Sequence, residues 1–225
     1  DNSPAEIADQ QVIELPFPAN EGVVDELLFA YDNSYRQPGT TTFVLDTSGS
    51  MEGERIASLK DIMHSLIDGS ASTLTGDVSL RDRENVTLQS FASRPNEPVT
   101  ARFSHEDPAS AAKLTEYVDG LRASGSTAMY QTLLEALRKT DPAGGIPSIV
   151  LLSDGQDTVG PRFSGFKEQY EQLPAAQRSV PVFVILYGDA SESEMRELAE
   201  LTGGEVFDAL GGDLAAAFKE IRGFQ

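Results

Sequence analysis

The chain has 225 residues, ample for one buried core with or without an appendage, and 40% of them are hydrophobic. Seventeen basic against 36 acidic residues give a formal charge of −19. That balance leaves no basic stripe to replace phosphate counterions, which argues against nucleic-acid binding, and it suits a cation-dependent site and an extracellular or periplasmic setting. Zero cysteines exclude disulfides and thiolate chemistry, and no apolar run reaches membrane-spanning length.

The first 20 residues or so are acidic and punctuated by Pro4, Pro16 and Pro18. Residues 12–15 have the composition of a brief strand, and the rest reads as a tail. The chain starts at Asp1 without Met or a recognisable signal peptide, as expected of a piece of something longer, whose anchor or export signal would lie outside it. Val24, Leu27, Leu28, Tyr31 and Tyr35 fall at i, i+3, i+4, i+7 and i+11, the pattern of an amphipathic helix, which Pro38-Gly39 ends. Residues 1–39 are therefore expected to form a tail and a helix at the junction with an upstream region, and 40–225 the main domain.

Phe43, Val44 and Leu45 read as a buried strand that stops on Asp46 and drops into a Ser/Gly turn. Ile56, Leu59, Ile62, Met63, Leu66 and Ile67 mark the helix that follows, over 55–68, with His64 at the boundary of its buried face. Residues 69–84 read as a loop. Segments 85–91 and 99–103 read as two strands joined around Pro95 to Pro98. Asp107-Pro108 is an N-cap with proline at the first helical position, ahead of a helix that buries Leu114, Tyr117, Val118 and Leu121. The loop at 124–127 leads into a helix carrying Tyr130, Leu133, Leu134 and Leu137.

After Pro147 the chain resumes as a strand over 149–152. Residues 155–179 read as irregular, with a helix near 166–173. The apolar run 182–186 is typical of a strand covered on both faces. Ser191 and Glu194 form a capping box for a helix that Gly203-Gly204 stops. A short edge strand over 205–207 and a helix carrying Leu214, Ala217, Phe218 and Ile221 complete the chain. Strands alternating with helices imply an α/β fold with a mostly parallel sheet between helical layers.

Asp46, Ser48 and Ser50 sit at the carboxyl end of a strand, on the turn that feeds a helix, where open α/β sheets bind ligands. One carboxylate and two hydroxyls at alternate positions are hard oxygen donors of the kind Mg²⁺ or Mn²⁺ accepts. Alone this is weak, because tight turns favour Asp, Ser and Gly anyway. Two later stretches strengthen it. Ser124-Gly125-Ser126-Thr127 puts a hydroxyl in a glycine loop before a helix, and 149–152 is an apolar strand running into Ser153-Asp154-Gly155.

Together the three loops resemble the metal-ion-dependent adhesion site (MIDAS) of von Willebrand factor A (VWA) domains: D-x-S-x-S, then a Thr, then Asp-Gly after the next parallel strand. Asp46, Ser48, Ser50, Thr127 and Asp154 match, and the resemblance covers roughly residues 40 to 222. It implies a Rossmann-like, six-stranded sheet with one antiparallel strand and helices on both faces. It also implies a divalent cation at those five residues, Mg²⁺ or Mn²⁺ with Ca²⁺ as a further option, and a protein partner that offers an Asp or Glu carboxylate.

The nearest flavour is the bacterial solute-binding-plus-VWA or calcium-activated-chloride-channel-like type, although nothing in this chain could form a channel. The resemblance points to a non-enzymatic adhesion or sensing module outside the cytoplasm. Subunit docking in a chelatase or AAA-type assembly would use the same motifs.

A phosphoaspartate phosphatase is the enzyme alternative, but it needs a second Asp where this chain has Ser48. Asp46 and Asp154 could instead cap turns, Ser48 and Ser50 could merely form one, and Thr127 could be only an N-cap. Two converging carboxylates, however, repel unless a cation lies between them. Glu52 and Asp157 lie near the site in sequence and could tune it or hold a second ion; for both, a solvated surface carboxylate is the simpler reading. No G-x-S-x-G elbow, P-loop or H-E-x-x-H is present, and His64 and His105 cannot form a zinc cluster by themselves.

Overall fold

The apolar run at 43–45 becomes the heart of strand β1 (Gly39–Asp46), longer than its hydrophobic core because the β-branched Thr40, Thr41 and Thr42 extend it. In the computed structural model the described residues are 37–70, 79–155, 157–187, 192–208 and 221. All lie in the second of two compact units, Asp1–Arg36 and Gln37–Gln225. The tail, the strand expected over 12–15, the amphipathic helix expected over 24–35, Ser191 of the capping box and all of the last helix but Ile221 lie outside the described residues.

After β1 come α1 (Glu54–Asp68), β2 (Asn85–Phe91), β3 (Val99–Arg102), α2 (Pro108–Gly120), α3 (Met129–Lys139) and β4 (Ile146–Ser153). They are followed by α4 (Phe163–Glu171), α5 (Ala175–Arg178), β5 (Val182–Leu186), α6 (Glu192–Thr202) and β6 (Val206–Asp208). The six strands form one sheet in the order β3-β2-β1-β4-β5-β6. Every pairing is parallel except that of β2 with β3, the antiparallel hairpin expected from the sequence. The strand order reverses direction between β1 and β4, so the crevice above their carboxyl ends is where this architecture places ligands.

Period-two alternation divides the core. Phe43 and Leu45 of β1, Val150 and Leu152 of β4, and Phe183 and Ile185 of β5 face one layer with Leu59, Met63 and Leu66 of α1 and Leu114 and Val118 of α2. Val44, Ile149, Leu151, Val182 and Val184 face the other, against Tyr130, Leu133 and Leu137 of α3, Phe166 of α4 and Met195 and Leu198 of α6. Helices cover both faces, which is why these strands read as continuous apolar runs. The pairings Phe43 with Val150 and Leu45 with Leu152 level the carboxyl ends of β1 and β4. Truncating Leu45, fully buried, to Ala would cost about 2–5 kcal/mol.

Two expected elements shift. Strand β4 starts at Ile146 and takes in Pro147. The N–H of Ile149 goes to Pro181 O, so position 147, two residues earlier, directs its nitrogen to the same side. There β5, paired only from Val182, has not yet begun, and the missing donor of proline costs nothing. Helix α4 starts at Phe163 rather than 166, because Phe163, Phe166 and Tyr170 form one stacked stripe with centroids 6.3 and 5.8 Å apart. It ends by Glu171, ahead of the extended backbone that Pro174 favours. Gly204 fits where a Cβ would come within 2.0 Å of Val182 O, so only glycine lets the chain pass β5 on its way into β6.

Candidate metal centre

Asp46 is the last residue of β1 and fully buried, and Asp154 follows β4 with 1% exposure. Pairing in parallel register brings both to the same edge of the sheet. Ser48 is buried and Ser50 exposed. Between them Gly49–Met51 forms a 3₁₀ turn anchored by Met51, which is fully buried in the core. With that anchor set, the two serine hydroxyls lie 3.1 Å apart. Ser48 N–H donates to Asp46 Oδ1 at 2.8 Å, an Asx-type contact that orients the carboxylate within its own turn.

The three loops are braced by main-chain bonds. Gly49 N–H donates to Gly125 O at 2.9 Å and Ser124 N–H to Thr47 O at 2.8 Å, joining the first loop to the second. Thr158 N–H and Val159 N–H donate to Thr127 O at 2.9 and 3.0 Å, and Thr127 N–H donates to Thr158 Oγ1 at 2.8 Å, joining the second to the third. Gly125 has φ +79°, and a Cβ there would come within 2.7 Å of Ser93 Oγ, so the second loop requires glycine at this turn. Asp46, Ser48 and Ser50, with Thr127 and Asp154 from distant parts of the chain, are thus carried by three loops braced to one another.

The electrostatics are those of two acids in a dry place. Burial and, to a lesser degree, the charge of Asp154 push the Asp46 carboxyl up to about 6 against the hydrogen bonds that favour its charge. Ser153, fully buried at the end of β4, donates from Oγ to Asp46 Oδ2 at 2.5 Å and accepts from Gly155 N–H at 3.1 Å. Asp154 Oδ2 lies 3.2 Å from Arg55 Nη1. Two carboxylates and neutral hydroxyls form an all-oxygen donor set whose charge matches a hard divalent cation. Among the described residues no cluster of three or more His, Cys, Asp or Glu suits a metal ion, so an ion at these loops would share its charge with Asp46 and Asp154 and draw its remaining oxygens from hydroxyls or water.

Asp157 corrects its sequence reading. It is half-buried, and its Oδ1 accepts from Met129 N–H at 2.8 Å and Tyr130 N–H at 3.3 Å. Asp157 therefore caps α3 from across the loops, while Ala128, the residue at the helix boundary, makes no side-chain cap. Burial raises the Asp157 carboxyl to about 6. With capping supplied by Asp157, the reading of Thr127 as merely an N-cap has no support. Glu52 is exposed, as expected. His64 and His105 sit on the surface beside Asp119 and Asp82, each 3.1 Å away. Ser153 and Arg55 are the site neighbours that sequence reasoning missed, and of Asp157 it missed the capping role. Only the Ser in Ser153-Asp154-Gly155 carries a local signal, as a hydroxyl at a strand end.

An open α/β sheet with acidic and hydroxyl side chains gathered above its strand switch defines the class of protein. Residues 41–213 match the von Willebrand factor type A domain model, and the chain belongs to that family. Human inter-alpha-trypsin inhibitor heavy chain H4 is 29% identical over 140 residues, which cover 59% of this chain and 14% of H4. The chain therefore corresponds to a small part of that relative.

Among solved structures, von Willebrand factor type A from Catenulispora acidiphila superimposes with a TM-score of 0.63 at 21% identity, covering 83% of this chain and 42% of that one. Manganese-loaded TRAP protein of Plasmodium vivax superimposes with a TM-score of 0.57 at 19% identity, covering 84% and 73%. These likenesses establish the fold, and family membership fits a protein-interaction module. No helix among the described residues is long and apolar enough to cross a membrane.

Proposed function

We propose that the domain is a metal-dependent protein-binding module. Asp46, Ser48, Ser50, Thr127 and Asp154 hold a divalent cation, Mg²⁺ or Mn²⁺ with Ca²⁺ as the further option, and the ion engages an Asp or Glu of a partner. The observation that carries this reading is the burial of Asp46 and Asp154 together at neighbouring strand ends. Two such charges side by side are costly, and the half-exposed Arg55 offsets only that of Asp154. The manganese-loaded relative supports it.

When bound, the ion supplies an electrophilic centre for a carboxylate oxygen. The protein's own part is to orient the donors. Ser48 N–H and Ser153 Oγ hold the Asp46 carboxylate, the Met51 anchor sets the serine pair, and the α3 cap fixes the helix that follows Thr127. The site favours binding over turnover, because Ser48, not a carboxylate, occupies the place a general acid would need beside Asp46. We read the domain as an adhesion or sensing module of a protein that works outside the cytoplasm.

Calorimetric titration of Mg²⁺ and Mn²⁺ into chelator-stripped protein tests the ion site. Saturable one-site binding is expected, lost in Asp154→Ala and weakened in Ser50→Ala while both variants stay folded. Absence of binding in well-folded protein would remove the ion from the proposal and leave a VWA scaffold that binds by other surfaces.

A further inference from the structure

Arg55 is the second residue of α1, and the turn that precedes it aims it back over the site. Gly53 takes φ +84°, a conformation that suits glycine, and reverses the chain between the buried Met51 and the helix. The guanidinium then spans two of the three loops. Its Nη1 donates to Ser50 O at 3.1 Å and to Asp154 Oδ2 at 3.2 Å. The pair is unequal in burial: the Asp154 side chain is 1% exposed and that of Arg55 40%. One partner is fixed in the protein while the other has room to leave.

A guanidinium and a divalent cation would draw on the same carboxylate. Both are positive, so side by side in a partly buried site they repel more strongly than they would in bulk water. Holding both at Asp154 would crowd two positive charges onto one carboxylate. We propose that Arg55 is a resident competitor for the ion at Asp154. It neutralises that carboxylate when no ion is held, must swing toward solvent when one binds, and thereby sets the ion affinity of the site below what its oxygen donors alone would give. The inference rests on the ion-binding reading above.

Titration of Mg²⁺ and Mn²⁺ into the stripped full chain by calorimetry tests it, comparing the wild type with Arg55→Gln and Arg55→Lys, alongside melting temperatures in chelator and in saturating Mg²⁺. Arg55→Gln is expected to bind the ion about two- to tenfold more tightly, the range of a partly exposed ion pair. It should melt lower than wild type in chelator, and the gap should close when Mg²⁺ saturates. Arg55→Lys, which keeps the charge, should bind close to the wild-type affinity. A residue that merely braced the loops would give the opposite sign, weaker binding in Arg55→Gln. Equal or weaker binding in that variant overturns the proposal and leaves the ion reading standing. Failure of the wild type and both variants to bind either ion overturns both.

Discussion

Ser153 Oγ donates to Asp46 Oδ2 at 2.5 Å, joining the ends of β4 and β1 across 107 residues of sequence. Both side chains are fully buried, so this bond is the main compensation that Asp46 draws from outside its own turn. Ser153→Ala should leave a buried carboxylate short of one donor. The expected cost is about 1–3 kcal/mol of stability in urea unfolding at pH 7, together with weaker ion binding. An unchanged midpoint would show that another group takes over the contact.

The Asp46 carboxyl, raised from 3.8 to about 6 by burial, makes two pH effects opposite in sense. The folded protein holds this proton more tightly than the unfolded chain does. Chelator-treated protein should therefore lose stability as pH rises from about 4 to about 6 and level off above. Ion binding needs the carboxylate, so apparent Mg²⁺ affinity should fall below pH 6 by up to roughly tenfold per unit and be flat above pH 7. Calorimetry between pH 5 and 8 reads the second effect, and an affinity independent of pH would remove Asp46 from the ion's ligands.

Asp157 separates capping from charge. Asp157→Ala removes the acceptor for Met129 and Tyr130 N–H and should cost about 0.5–2 kcal/mol. Asp157→Asn keeps an acceptor and removes a carboxyl that burial raises to about 6. In chelator it should match wild type near pH 4 and be the more stable of the two at pH 7. Thermal melts at both pH values check this; equal loss in both variants at pH 7 would mean that the charge itself is needed.

The enzyme alternative has a direct assay. A generic phosphoester incubated with the protein and Mg²⁺ should be hydrolysed no faster than in chelator. Sustained hydrolysis that Asp46→Asn abolishes would make Asp46 a nucleophile and reverse the reading.

Much of the candidate site was legible because its signals are local. An apolar strand that stops on an acid, a hydroxyl turn and a helix start all lie within about ten residues, where period and turn chemistry act. Phe43 to Leu45, Val182 to Leu186 and the N-cap at Asp107, whose Oδ1 accepts from Ala109 N–H at 3.1 Å, were readable for that reason. The start of β4 was not, because whether Pro147 can join a strand depends on where β5 begins to pair.

By itself the sequence determined the alternation of strands and helices, the two buried faces of the sheet and the donor types at three loops, since each follows from the spacing of neighbouring residues. Only the tertiary structure decided which groups those loops meet: Ser153 on Asp46 across 107 residues, Arg55 on Asp154 across 99, and Asp157 on the first turn of α3 across 28. Strand register and loop bracing set those meetings, and neither leaves a mark in any short stretch of the chain.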